Sequence, residues 1–111
     1  MTFPHDRPRR LRRTDRVRAM VRETTLEPCH LIAPLFVKEG LPRPAEIETM
    51  PGQQHHTVSS LVEACAGLAE LGVPAVMLFG IPARKDAQGS AAWDPEGIIQ
   101  QALRAVRAEL G

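Results

Sequence analysis

The chain has 111 residues, two cysteines and a formal net charge of +1. This length suits one modest domain. No run of about 18 apolar residues offers a membrane span, and the basic N-terminus lacks the apolar segment of a secretory signal. Cys29 and Cys65 have no CxxC spacing and stand too far apart for a disulfide framework or a metal knuckle, so a reduced, cytoplasmic protein is expected.

Residues 1–30 read as an N-terminal arm. Residues 1–13 read as extended, since Pro4 and Pro8 disfavour helix there. Residues 14–22, TDRVRAMVR, predict a short helix capped by Thr14 or Asp15, with Val17, Met20 and Val21 on one side. Eight arginines face only Asp6 and Asp15 within residues 1–22, whereas residues 23–111 carry six basic and eleven acidic groups. A basic arm on an acidic body suits docking on an acidic surface, its own or a neighbouring subunit's. No aromatic interleaving beyond Phe3 accompanies the arginines, so a nucleic-acid partner is not expected.

Residues 31–37, LIAPLFV, form a nearly continuous apolar run, which fits a strand buried on both faces in a parallel sheet. Pro34 inside it removes a ladder donor, so a bulge is expected there. Residues 38–56 read as a long loop with Gly40, Pro42, Pro44, Pro51 and Gly52. Residues 57–71 predict a helix capped by Thr57, with Leu61, Ala64, Cys65, Leu68 and Leu71 on its buried face and Gly72 ending it. AVMLFGI (75–81) predicts a second buried strand. PARKDAQGSAAWD (82–94) is a long polar loop, and residues 95–110 predict a helix with Asp94 at its N-cap and Pro95 at N1. Ile99, Leu103, Val106 and Leu110 mark its expected buried face.

This β-loop-α-β-loop-α order argues for parallel strands with crossover helices, an α/β fold. Two βα units leave an open edge and cannot bury four apolar strand faces. The region 31–111 is therefore expected to begin a larger domain, of which a (β/α)8 barrel is one form. Both long loops follow strands, whereas the return at Gly72-Val73-Pro74 is tight; sites in parallel α/β folds lie at the C-terminal strand ends.

That placement draws attention to Lys85, Asp86 and Ser90. Lys85-Asp86 reads either as a charge-positioning pair or as an exposed loop pair of little energetic weight. Asp86 and Ser90 also suit turns shaped with Gly89. The adjacent His55 and His56 lack a third ligand at metal spacing and read as polar loop residues. Cys29 and His30 read as structural, and Cys65 as core. Ser59 and Ser60 read as first-turn hydroxyls that satisfy backbone groups. Gly80 is expected to allow a close approach, and Trp93 to pack against a barrel wall.

In this order, RPRRLRRTDRVRAMVRET, LIAPLFVKEG, IETMPG and LFGIPARKDAQGSAAWDPEGIIQQALRAVRAE resemble the N-terminal third of the porphobilinogen synthase (δ-aminolevulinic acid dehydratase) family. The resemblance spans about residues 7–110. It is most specific at Pro34–Val37, Met50-Pro51-Gly52, Leu78–Gly80, Lys85-Asp86 and Gly89-Ser90. It implies a TIM barrel preceded by an arm that wraps a neighbouring subunit in a homo-octamer. It implies condensation of two 5-aminolevulinate molecules to porphobilinogen through two Schiff-base lysines, in a lyase that uses zinc or magnesium. Those lysines and the metal-binding segment belong to later strands of the family, so the resemblance assigns no catalytic or metal-binding residue to this chain. A fragment without activity of its own is expected. Lys85, Asp86 and Ser90 are its candidates for framing the catalytic face. The residues alone also leave open another Schiff-base aldolase-like barrel, or a small binding module with a basic arm.

Overall fold

The computed structural model describes Thr2 and residues 4–111; Met1 and Phe3, the aromatic residue noted in the arm, lie outside the described residues. The sheet is built on strands β1 (Ile32–Lys38), β2 (Ala45–Glu46), β3 (Gln54–His56) and β4 (Ala75–Ile81). Helices α1 (Asp15–Met20), α2 (Val58–Glu70) and α3 (Ile98–Leu110) complete the principal elements. Single 3-10 turns lie at Arg10–Arg12, Pro28–His30 and Ser90–Ala92.

Residues 4–30 carry no buried side chain. Thr14 caps α1 by accepting from the Val17 amide at 3.2 Å. The helix is shorter than residues 14–22, and Met20 stays exposed. The segment expected to be extended contains a helical turn at Arg10–Arg12. The radius of gyration is 21.4 Å, against about 13 Å for a compact chain of this length, which reflects how far this segment reaches from the rest.

β1 and β4 pair in parallel from Ile32↔Ala75 to Lys38↔Ile81 without interruption, so the expected bulge at Pro34 is absent. The Glu39 amide donates to the Ile81 carbonyl, so odd-numbered donors of β1 face β4 and position 34 faces the other side. There β3 joins β1 only from Phe36, so the missing Pro34 donor takes no bond from the ladder. The sheet order is β2-β3-β1-β4, which leaves β4 as an open edge.

Residues 38–56 are not simply a loop. β2 and β3 form an antiparallel hairpin, Ala45↔His55 and Glu46↔Gln54, and β3 runs parallel to β1. Met50-Pro51-Gly52 is its tip, closed by the Gln53 amide to the Met50 carbonyl at 2.9 Å. His55 and His56 therefore lie in a strand. These short strands have polar residues and no apolar alternation; they are made by backbone pairing with the free side of β1.

One layer of helices covers the sheet. Leu35 and Val37 from β1, Leu61 and Cys65 from α2, and Ile98 and Ala102 from α3 form the core, with Val76, Leu78 and Ile99 packed against it. Gly80 sits opposite Val37 on this face, and a Cβ there would lie 2.5 Å from Ile99 Cγ1. The expected close approach is thus that of α3. The other sheet face is uncovered: Phe36 and Phe79 stack at 5.4 Å, and Phe79 and Met77 remain about half exposed. The strands are therefore buried on one face only, because a single helix layer shields them.

Thr57 caps α2 in a reciprocal box with Ser60, and Gly72 at φ 83° ends it, as the spacing requires. Leu71 is exposed because it is the C-cap. α3 starts at Ile98 with Gly97 as N-cap, not at Pro95 after Asp94. Ile98 and Ala102 are its buried residues and Ile99 and Val106 pack against the core, as expected of the last two, while Leu103 and Leu110 are exposed.

Candidate functional site

Because β1 and β4 run in parallel and end side by side at Lys38↔Ile81, the segments that follow them leave from one end of the sheet. The β4–α3 loop, residues 82–97, is organised by Asp86. Its Oδ1 accepts from the amides of Gln88 and Ser90, each at 3.0 Å, and its Oδ2 accepts from the Ser90 hydroxyl. Gly89 at φ 64° supplies the left-handed turn between them. The Ser90 hydroxyl, and then its amide, hold the Asp86 carboxyl below the usual carboxylate range.

Lys85 is not paired with its neighbour: among the described residues, the ion pairs are Arg18–Asp15 and Arg104–Glu96. The two halves of the Lys85-Asp86 dipeptide thus differ. Asp86 is satisfied by its own loop, whereas Lys85 forms no ion pair among the described residues; both line an open cleft of about 580 Å³ with Glu39, Arg84, Trp93 and Asp94. Trp93 is 70% exposed there and does not pack against the sheet. A second cavity of about 360 Å³ lies under the loop, between Lys85, Asp86, Gly80 and Ile99.

Asp94 does not cap α3; it accepts from the Glu96 amide at 2.9 Å and makes a turn ahead of the helix. Three α3 side chains reach back to hold that turn. Gln100 donates to the Ala92 carbonyl at 2.8 Å, Gln101 to Glu96 at 2.6 Å, and Arg104 to Pro95 at 2.8 Å. A Cβ on Gly97 would lie 2.7 Å from the Ala91 carbonyl, so the loop closes directly over that residue. These contacts escaped sequence reasoning, as did Glu39, whose carboxylate accepts from the Ala83 amide at 2.8 Å. The spacings i+8 and i+9 fall outside helical pair rules, and nothing in the sequence joins position 39 to 83.

Elsewhere, the His56 Nδ1 lies 3.1 Å from the Ser60 hydroxyl, and burial lowers the His56 pKa. The Ser60 hydroxyl also accepts from the Thr57 amide at 3.0 Å, as expected for a first-turn serine. Burial raises the Cys65 pKa, which suits its core position. Among the described residues, no three His, Cys, Asp or Glu side chains come together in a group that could hold a metal ion. A further cavity, about 1090 Å³, lies within residues 6–23, outside the strand-end loops; Arg10, Arg18 and Arg22 line it together with the carboxylates of Asp6 and Glu23.

The family model for delta-aminolevulinic acid dehydratase matches residues 5–111. The chain belongs to the delta-aminolevulinic acid dehydratase family. Delta-aminolevulinic acid dehydratase of Streptomyces coelicolor is 52% identical over 112 residues, covering 99% of this chain and 34% of its own length. That of Methanothermus sociabilis is 44% identical over 98% of this chain, again with 34% of its own length covered. The chain thus spans about a third of the length of the curated relatives it matches. Its fold matches the crystal structure of delta-aminolevulinic acid dehydratase (porphobilinogen synthase) from Toxoplasma gondii, solved with the reaction product porphobilinogen. The TM-score is 0.88 at 30% identity, over 95% of this chain and 30% of that one. An open, mixed, four-stranded sheet is consistent with part of such a barrel. Among the described residues, no helix is long and apolar enough to cross a membrane.

Proposed function

We propose that this chain supplies the arm and first two βα units of a porphobilinogen synthase. The complete enzyme condenses two 5-aminolevulinate molecules to porphobilinogen with loss of water. The observation that carries the reading is the family match running from residue 5 to residue 111. The family's Schiff-base lysines and its zinc- or magnesium-binding segment have no counterpart in these residues, so no bond-making step is assigned to them. The uncovered face around Phe36, Met77 and Phe79 is the barrel interior, closed by strands beyond this chain.

Lys85, Asp86 and Ser90 frame the catalytic end. Asp86 and Ser90 set the shape of the loop, and Lys85 is carried on that frame facing the open cleft. Residues 1–30 act as an interface arm on a neighbouring copy in a homo-oligomer. Their arginine excess against the acidic remainder, and the lack of buried side chains over residues 4–30, support this.

The test is the protein at the full length of its relatives, incubated with 5-aminolevulinate, zinc, magnesium and reductant. A pyrrole product seen by its colour reaction is expected; none under all these conditions rejects the reading. Removing residues 1–22 is expected to lower the oligomer mass in sedimentation, and an unchanged mass would remove the arm's role.

A further inference from the structure

We infer that Glu39 is a positioning residue of the catalytic end, its carboxylate fixing the point at which the 82–97 loop leaves β4. The inference rests on the reading of that loop as part of the site's frame. The Glu39 amide donates to the Ile81 carbonyl at 2.9 Å, the last step of the β1–β4 ladder. A regular parallel ladder would next send the Ala83 amide to the backbone carbonyl of Glu39. Instead the Ala83 amide donates to Glu39 Oε2 at 2.8 Å. Gly40, at φ 78°, turns the chain away immediately after Glu39. Pro82, between the two bonded residues, has no N–H to offer. The side chain therefore extends the ladder by one step after the backbone has left it.

This contact differs in kind from the others that order the loop. Asp86 binds only its own turn, and Gln100, Gln101 and Arg104 tie the loop to the helix that follows it. Glu39 ties it to the other βα unit, 44 residues away. The nearby cations Lys38, Arg84 and Lys85 form no ion pair with it; among the described residues those pairs lie elsewhere. The carboxylate thus serves as a hydrogen-bond acceptor for a backbone amide, a charge-assisted bond that fixes direction as well as distance. An amide oxygen in its place keeps the acceptor; a methyl group does not.

The experiment compares Glu39→Gln and Glu39→Ala in the protein at the full length of its relatives. It reads kcat and KM for 5-aminolevulinate, the thermal midpoint, and hydrogen exchange of the segment 82–90. For Glu39→Ala, kcat is expected to fall by about tenfold, the scale of one lost charge-assisted bond. Exchange over 82–90 should rise and the thermal midpoint should hold. Glu39→Gln is expected to restore both kcat and protection to within about threefold of the parent. Unchanged kcat and exchange in Glu39→Ala would overturn the inference, as would a loss that tracks a lowered midpoint and is not rescued by glutamine. If the parent makes no pyrrole, the functional reading fails by itself; the exchange comparison then decides whether Glu39 anchors the loop.

Discussion

Residues 4–30 bury no side chain, whereas residues 31–111 enclose Leu35, Val37, Leu61, Cys65, Ile98 and Ala102 between one sheet and two helices. The hydrogen bonds of Thr14, Arg18 and Glu27 reach at most six residues along the chain. In the body, Glu39 reaches Ala83 and Ile32 pairs with Ala75. The charge runs oppositely as well, arginine-rich in the first segment and acidic in the second. A segment without buried area gains almost nothing from the hydrophobic effect, so its local turns persist only as far as caps and partners support them. The contrast shows which segment is ordered by its own packing and which is held by local bonds alone.

Substitutions sharpen that contrast, and the largest effects belong to the body. Leu61→Ala empties a fully buried site and should cost about 2–5 kcal/mol in urea unfolding. Gly97→Ala should cost about 1–3 kcal/mol, since its Cβ would press on the Ala91 carbonyl. Thr57→Ala removes the α2 cap and should cost about 1 kcal/mol. A comparable loss from Leu11→Ala, in the exposed arm, would break the comparison by showing that the arm carries core energy.

Acid acts on the body through two groups. Burial lowers the His56 pKa from 6.5, so the folded state favours neutral imidazole. As pH falls below 6.5 the unfolded chain binds the extra proton first, and stability declines until the folded pKa is passed. His56→Gln should flatten that part of the stability profile. Asp86 also has a lowered pKa, so its contribution is present above 3.8 and is lost as pH falls through the folded value. Protection of the Gln88 and Ser90 amides, taken relative to the intrinsic exchange rate at each pH, should fall over that lower range, and Asp86→Asn should reduce the dependence. The smallest effect is expected in the arm: Asp15→Asn breaks an exposed ion pair with Arg18 and should leave unfolding unchanged.

Much of the fold could be read along the chain. The bounds of β4, the Thr57 cap, the Gly72 stop and the burial of Cys65 all follow from local rules of period and capping. The hairpin at Ala45–His56 could not, because its strands are polar and exist through pairing with β1. The α3 start moved because three side chains and Gly97 stabilise a preceding turn that competes with the helix. In the 82–97 loop, the length of the connection was legible, and the turn shaped by Asp86 and Ser90 with Gly89 was one of the readings of those residues. The independence of Lys85 from Asp86 was not, since side-chain direction is decided by the turn.

The sequence by itself determined the alternation of strand and helix, the basic arm and the membership of a family, because each is written in residue types and their order. Tertiary structure alone decided which strand face is covered, how a proline fits a ladder, and which groups meet across 44 residues. Those outcomes depend on what lies beside each residue in space. Periodicity along the chain records only which side a residue faces, and the partner on that side is set by the fold.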